Sequence, residues 1–338
     1  MSSMLWQTII WGLIWTTVGS AMLALTQWLT RYITNAAVRH SAWTGAFACV
    51  ALFPFFGATT MWREWTSAVQ CAPDGPPGIW RPTLSDSLGY LLVGGWFAGT
   101  VSTLGRALLG RWMVNGWRTQ GRDYRQEISR LSGTSLPIDF LQNVELRLAV
   151  GDNPQVPITW GVKKPVVLLP RSAEEWGPSR LTAVLLHEWG HIRRYDNLTQ
   201  FVVLMTCAIH WFNPLFWYSA RRMEAESEIA ADDFAILRGM KPSNYAKELL
   251  DLASQIAAKP ATFTFAQTAM VKLFTLEYRL HSIIDPNARR GPINCSSLIG
   301  IMGVLIGVML AITFLTPRLS SSLSSKTVVA PNCLSTSL

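Results

Sequence analysis

Four long apolar runs divide the chain, and each contains few charged residues. They cover residues 5–28, 43–61, 88–109 and 297–315. A helix of about 20 residues crosses a bilayer whose hydrocarbon core is roughly 30 Å thick, and these runs approach or exceed that length. Trp28, Trp43 and Trp62 stand at their ends, where indole rings favour the membrane interface. The pattern therefore predicts four transmembrane helices.

Between the third and fourth runs the hydrophobic pattern is that of a folded domain. Apolar residues recur at helical spacing from Ser179, the predicted N-cap, to about Tyr195. The apolar positions of this helix are Leu181, Val184, Leu185 and Ile192. Residues 144–150 alternate in polarity and residues 162–169 contain a β-branched run, so both predict strands. Pro165 favours an edge position for the second strand, with an internal strand as the alternative.

The charge balance adds an orientation to this layout. The 338 residues are 49% hydrophobic and 15% charged, with 29 basic against 21 acidic residues and a net charge of +8. This composition argues against a purely soluble protein, and no base-reading motif supports nucleic-acid binding. Basic residues collect between the first two runs, after the third and just before the fourth. The positive-inside rule therefore places the N-terminus outside and residues 110–294 in the cytoplasm.

The predicted helix carries candidate metal chemistry. His187, Glu188 and His191 form an H-E-x-x-H pattern, which puts both imidazoles on one helical face at a spacing that suits one zinc ion. A catalytic zinc needs a third protein ligand and an open position for water. Glu188 is then placed to take a proton from that water and pass it to the leaving amine of a cleaved peptide bond.

An acidic segment downstream supplies the missing ligand. Within residues 221–240, Glu228 is the predicted third ligand and Glu224, one turn earlier, is the reserve. Asp232 lies one turn after Glu228 and is predicted to accept a hydrogen bond from a ligand imidazole. An extended substrate is expected to pair with the 162–169 strand. The candidate substrate contacts are Val162, Val166, Val167 and Leu168.

A fifth apolar run, residues 201–218, separates the two halves of this site. It reads FVVLMTCAIHWFNPLFWY and is nearly long enough to cross a membrane. A crossing would put the bilayer between the histidines and Glu228. The run is therefore interpreted as a helix that is buried in the domain or dips into one leaflet, broken near Asn213-Pro214 because proline cannot continue the hydrogen-bond ladder.

Several segments together resemble the BlaR/MecR-type antirepressor metalloproteases, the membrane gluzincins of β-lactam resistance systems. They are PITWGVKKPVVLLP, LLHEWGHIRRYDNL, HWFNPLFWYSARR and ESEIAADDFAI, and the resemblance extends over residues 1–316. It implies His187, His191 and Glu228 as zinc ligands, Glu188 as general base, and a repressor or other regulatory protein as substrate. Ala231 stands where family members often have cysteine. The tail, residues 317–338, is expected to contain no penicillin-binding sensor domain.

These observations combine into one expected architecture. The fold class is a mainly α membrane protein of the bacterial inner membrane, with four transmembrane helices and a cytoplasmic α+β zincin-like metalloprotease domain between the third and fourth. The expected divisions are three spans within 1–110, the protease domain 111–294, the last span 297–315, and a disordered extracytoplasmic tail 316–338. The expected partners are a protein substrate and the lipid bilayer, and a homo-oligomer remains open.

Two other functions are compatible with the same residues. One is a quality-control protease that cuts damaged membrane proteins, and the other is a non-catalytic membrane receptor with a structural zinc site. A structural site would need a fourth ligand, and His210 and His281 are interpreted as packing or surface histidines. Cys71 and Cys333 both fall in segments expected outside the cytoplasm, where a disulfide between them is open.

Overall fold

The computed structural model describes residues 2–52, 84–131, 136–151, 153–257 and 276–291, together with Gly300, Gly303 and Gly307. Helices dominate these residues. In chain order they are α1 Ser2–Thr30, α2 at 36–52, α3 Leu84–Gln120, α4 Arg125–Leu131, α5 Ile138–Asn143, α6 Pro178–Arg193, α7 Asp196–Ile209, α8 Pro214–Leu237, α9 Pro242–Ala257 and α10 at 276–284. A short 3-10 helix, Arg171–Glu175, precedes α6.

Two of these helices are long and apolar enough to cross a membrane. The segments are Thr8–Thr30 in α1 and Ser87–Gln120 in α3, at the places of the first and third predicted spans. The second predicted span begins within α2, and its residues 53–61 lie outside the described residues. The fourth span is described only at its three glycines. The tail, Cys71 and Cys333 also lie outside the described residues.

A small mixed sheet forms the other part of the fold. Its strands are β1 Arg122–Asp123, β2 Glu145–Leu148, β3 Ile158–Trp160 and β4 Val166–Leu169, in the order β1-β2-β4-β3. Strands β2 and β4 run parallel, whereas β1 and β3 pair antiparallel with their neighbours. The two strands predicted from the sequence are therefore present as β2 and β4, and β1 and β3 are additional.

Of the two positions left open for the 162–169 strand, edge and internal, the structure has the internal one. Only Val166–Leu169 is extended, and this β4 pairs with β2 on one side and β3 on the other. Its backbone groups are therefore taken up by the sheet, and all four of its side chains are buried. Pro165 stands just before β4, where a missing N–H removes no ladder bond from the strand. Among the described residues, the open edge beside β4 belongs to β3.

A tight turn separates β3 from β4. Gly161 has a φ of +95°, and a Cβ there would lie 2.5 Å from the carbonyl oxygen of Lys164. Only glycine fits both that conformation and that contact. The turn explains why residues 158–169 do not form one long strand.

The start of α6 also differs from the prediction. The N-cap is Gly177 and not Ser179, because Pro178 occupies the first helical position. Proline has no N–H to leave unsatisfied there, and its fixed φ suits a helix start. The shift leaves the helical phase of the H-E-x-x-H pattern unchanged.

Helices α6 and α8 pack closely where they carry the candidate ligands. A Cβ added to Gly190 would lie 3.2 Å from Cα of Ala231 and 3.3 Å from Cβ of Phe234. Ala231 is itself fully buried. Small residues at 190 and 231 therefore set the distance between the two helices.

The variant Gly190→Val is expected to lower the free energy of unfolding by about 1–3 kcal/mol, because a branched side chain would be forced into an occupied contact. Thermal unfolding of the purified protein in detergent measures the loss. Gly151→Val is the matched control, since nothing lies within 4 Å of an added Cβ at that position. Equal unfolding temperatures for the two variants would contradict this account of the α6–α8 contact.

The two larger buried clusters of the described residues connect most of these elements. The first joins the sheet to the surrounding helices and includes Leu146, Val167, Leu181, Leu185 and Ile283. The second joins α1, α2, α7 and α8 and includes Met22, Trp43, Phe47, Cys207 and Phe216. Helices α7 and α8 therefore share a core with the apolar N-terminal helices while also carrying part of the candidate site.

Candidate metal centre

Three side chains from α6 and α8 converge at the α6–α8 contact. One ligand atom from each of His187, His191 and Glu228 lies within 4.8 Å of the other two. The Nε2 atoms of the two imidazoles are 3.2 Å apart. The Glu228 carboxylate lies 3.4 Å from Nε2 of His187 and 3.6 Å from Nε2 of His191. The helical period places the histidines one turn apart, and the packing of α8 brings the carboxylate to them.

A hydrogen-bonded group of side chains contacts the Nδ1 side of the His187 ring. Its Nδ1 lies 2.9 Å from Oδ1 of Asp232, as the sequence predicted for that carboxylate. The Tyr245 hydroxyl donates to the same oxygen at 2.7 Å. Arg279 of α10 donates to both oxygens of Asp232 at 2.7 and 2.6 Å, and it also lies 2.8 Å from Glu228. Arg279 thus connects Glu228, the third candidate ligand, to Asp232, the carboxylate that orients His187.

A second carboxylate supports His191. Asp196 Oδ2 accepts from Nδ1 of His191 at 2.7 Å, and it also accepts from Arg194 at 2.6 Å and from the Ser227 hydroxyl at 2.7 Å. Tyr195, in a left-handed conformation with φ 57°, provides the turn between α6 and α7 that brings Asp196 back beneath the imidazole. The second oxygen of Asp196 lies 3.8 Å from Nε2 of the buried His40.

The donor set fits a zinc ion. When both imidazoles are neutral, as metal ligands must be, and donate their Nδ1 protons to Asp232 and Asp196, both Nε2 atoms present lone pairs. The two Nε2 atoms are 3.2 Å apart, so they can share a proton or, when both are deprotonated, bind one cation between them. Two imidazole nitrogens and one carboxylate oxygen are common zinc ligands and leave a fourth position open.

The charges of the carboxylates suit a cation as well. Burial by itself would raise the pKa of Asp232, but Arg279 and His187 outweigh it and hold this pKa at about 2. Burial likewise opposes ionisation of Glu228, yet Arg279 and the two imidazoles keep its pKa well below the ordinary value. Both groups are therefore anionic at neutral pH.

Glu188 stands beside this cluster without belonging to it. The residue is almost buried, and its Oε2 accepts a hydrogen bond of 2.5 Å from the Thr159 hydroxyl. Thr159 is the central residue of β3, so the carboxylate lies against the side-chain face of this edge strand. This contact links the candidate base to the strand that remains available for an extended peptide.

Other predicted residues lie elsewhere. Glu224, the reserve ligand, is exposed and is absent from the group of three. Val166, Val167 and Leu168 are buried in the interior strand β4, so their predicted substrate contacts through a free edge are not available. Val162 is exposed in the turn after Gly161.

Several residues of the site were not predicted from the sequence. They are Thr159, Asp196, Tyr245 and Arg279. Asp196 had a usable signal, since it is an acidic residue placed just after the H-E-x-x-H helix. The other three reach the site only through tertiary packing, and no local pattern marks them.

A family model described as the BlaR1 peptidase M56 family matches residues 95–283, more than half of the chain. The chain belongs to this peptidase family. The Regulatory protein BlaR1 of Bacillus licheniformis is 38% identical over 82 residues. That alignment covers 24% of this chain and only 14% of the relative. The resemblance inferred from the sequence motifs is therefore confirmed.

The residues matched by the M56 family model include the candidate metal centre. The matched residues contain α6 and α8 with every candidate ligand and Glu188. The chain thus belongs to a peptidase family, and its helices α1 and α3 are long and apolar enough to cross a membrane.

Proposed function

We propose that this M56 peptidase is an integral-membrane zinc endopeptidase whose one metal ion is held by His187, His191 and Glu228. The main support for this proposal is that their ligand atoms lie within 4.8 Å of one another. A zinc ion bound there would lower the pKa of a coordinated water and polarise a substrate carbonyl. Asp232 and Asp196 would keep both imidazoles turned towards the ion.

Glu188 is proposed as the general base. Its place next to His187 on α6 keeps it outside the ligand set, while its hydrogen bond from Thr159 holds the carboxylate against the edge strand β3. From there it would accept the proton of the attacking water and then deliver it to the amine released from the peptide. These two transfers complete hydrolysis without another acid or base.

The open edge of β3 is the proposed place for the substrate backbone. An extended peptide paired with Ile158–Trp160 would run past Thr159 and therefore past Glu188. This assigns to β3 the role that the sequence had given to residues 162–169.

The variant Thr159→Val is expected to lower kcat about 10- to 100-fold, because a hydrogen bond to a charged group contributes about 1.5–3 kcal/mol. Zinc content should not change, since Thr159 contacts Glu188 and none of the candidate ligands. Thr159→Ser, which keeps the hydroxyl, should restore most of the activity. Steady-state kinetics with metal analysis tests this, and an unchanged kcat in Thr159→Val would show that the contact does not position the base.

The topology is proposed as the sequence predicted it. Four spans, a protease domain over residues 111–294 and an outer N-terminus would place the catalytic site in the cytoplasm of a bacterium. The helices α1 and α3 support two of the spans. The continuation of α3 to Gln120 supports a rigid connection between the third span and the domain.

The substrate is proposed to be a cytoplasmic repressor or another regulatory protein. The similarity to a protein named Regulatory protein BlaR1 supports this class. Cellular protein fragments from a wild-type strain and a Glu188→Gln strain test it. One cleavage site in one regulatory protein is the expected difference, whereas broad loss of fragments from damaged membrane proteins would identify a quality-control protease.

A structural zinc site is less well supported than a catalytic one. A closed site would need a fourth ligand, and the group found among the described residues contains three. His210 lies against Thr16 of α1, and His281 is exposed on α10. An open fourth position favours a catalytic metal.

A further inference from the structure

Helices α7 and α8 form a hairpin with an uncharged tip. No Asp, Glu, Lys or Arg occurs between Asp196 and Arg221, so residues 197–220 carry no formal charge. Arg193 and Arg194 precede this segment, and Arg221 with Arg222 follows it. Charged residues therefore flank both ends of an apolar hairpin.

The hairpin lies along the helix that is suited to cross the membrane. Asn213, in the turn between α7 and α8, donates to the Ser20 hydroxyl of α1 at 2.9 Å. His210 lies 3.1 Å from the Thr16 hydroxyl, one turn further along α1. With a rise of 1.5 Å per residue, these contacts lie about 15 to 21 Å from the Thr30 end of α1. That is about half the thickness of a bilayer.

Indole N–H groups donate hydrogen bonds to backbone carbonyls in the turn and next to it. Trp96 of α3 donates to the carbonyl of Ile209 at 2.8 Å, and Trp211 donates to the carbonyl of Trp96 at 3.1 Å. Trp217 donates to the carbonyl of Trp211 at 3.0 Å. Irregular backbone needs such internal partners in hydrocarbon, where no water replaces them.

The outer surface of the hairpin is aromatic and aliphatic. Phe201 is 54% exposed and Phe212 is 48% exposed, although neither carries a polar group. Leu198, Trp217 and Tyr218 are also exposed. Exposed apolar side chains grouped on one hairpin mark contact with an apolar partner or a membrane. Its continuity with α1 and α3 identifies lipid as the partner, since those helices require the same surroundings.

Contacts at the base of the hairpin show which end of the hairpin would lie deeper in a membrane. Asp196 at the start of α7 and Glu228 on α8 both lie at the metal centre, and α7 is about 20 Å long. His40, near the start of α2, lies 3.8 Å from Asp196. The tip thus lies beside the middle of α1, whereas the base is level with the Thr30 end of α1 and the start of α2.

We propose that residues 196–221 form a re-entrant hairpin inserted into one leaflet, with acyl chains covering its outer surface and the metal centre at the membrane surface. The chain enters and leaves on the same side, so the hairpin adds no crossing. This resolves the two interpretations left open by the sequence in favour of the leaflet. The proposal does not depend on the identity of the metal or on catalysis.

Depth-dependent fluorescence quenching tests the insertion. Full-length protein with the native cysteines replaced by alanine receives one cysteine at Phe212, Leu198 or Leu237, is labelled with an environment-sensitive dye and is reconstituted into phosphatidylcholine vesicles. Leu237, at the far end of α8, is 54% exposed and serves as the control. Spin labels deep in the acyl chain should quench the Phe212 dye several-fold more than aqueous iodide does. Headgroup labels should quench Leu198 most, and iodide should quench Leu237 most.

Strongest quenching of the Phe212 dye by iodide or by headgroup labels would overturn the proposal. So would protection from every quencher, because the hairpin would then be covered by protein, such as a second copy of the chain. These results concern position alone, so they leave the zinc endopeptidase proposal unaffected.

The unmodified protein provides an independent measurement that needs no cysteine replacement. Vesicles containing phospholipids with a diazirine in the acyl chain are irradiated, and trypsin then releases residues 195–221 as one peptide between Arg194 and Arg221. Lipid adducts are expected on this peptide and on residues 1–31 from α1, but not on residues 223–238 from the distal part of α8. Adducts on 1–31 without adducts on 195–221 would contradict the insertion.

Discussion

Peptide-bond hydrolysis is expected to fall by about 10²- to 10⁴-fold in Glu188→Gln, the usual contribution of a positioned acid or base. Glutamine has nearly the same shape and can still accept a hydrogen bond from Thr159, but it cannot take up a proton. Because Glu188 is not among the three converging side chains, the variant should bind as much zinc as the wild type. Activity assays combined with metal analysis of the purified protein in detergent measure both quantities.

The control for this variant is Glu224→Gln. Glu224 is an exposed acid on α8 that lies outside the ligand group, so both activity and zinc content should stay close to those of the wild type. Retained proteolysis in Glu188→Gln would rule out Glu188 as the base. Lost zinc would instead assign that residue to the metal.

Zinc content should fall from about one ion per chain to near zero in Glu228→Ala, and proteolysis should fall with it. The change removes the only carboxylate among the three converging ligand groups. It also takes away one partner of Arg279, although that guanidinium keeps both hydrogen bonds to Asp232. Metal analysis after dialysis against a weak chelator measures the loss, and thermal unfolding shows whether the apo protein remains folded.

A graded series distinguishes a ligand from a supporting group. Asp232→Asn should weaken zinc affinity by about 10- to 100-fold, because it keeps the ligands but loosens the orientation of His187. Glu224→Gln should have no effect. Unchanged metal stoichiometry in Glu228→Ala would remove Glu228 from the ligand set, whatever its distance from the imidazoles.

Much of the predicted structure follows from residue spacing within single helices and apolar runs. Two histidines four residues apart share a helical face in any α-helix, so the pairing of His187 with His191 needed no knowledge of the fold. The apolar runs at α1 and α3 were equally clear, because crossing length depends only on helix rise and bilayer thickness. The break at Asn213-Pro214 followed from the covalent chemistry of proline, and α8 does begin at Pro214 with Asn213 as its N-cap.

Sheet position could not be predicted in the same way. Residues 166–169 are extended as expected, but whether a strand is internal or at an edge depends on which other strands pair with it. The three residues of β3 are too few to produce a periodic signal. Their pairing with β4 nevertheless moves the open edge from Val166–Leu168 to Thr159 and so changes the proposed substrate contacts.

The sequence by itself therefore determined the chemistry of the H-E-x-x-H turn, the apolar helices and the acidic segment that contains Glu228 and Asp232. Only the tertiary structure decided that Asp196, Tyr245 and Arg279 hold these groups, and that Thr159 contacts Glu188. The physical reason is the range of the interactions. Helix period and hydropathy act between neighbours in sequence, whereas orientation of a ligand depends on side chains that packing brings from distant elements.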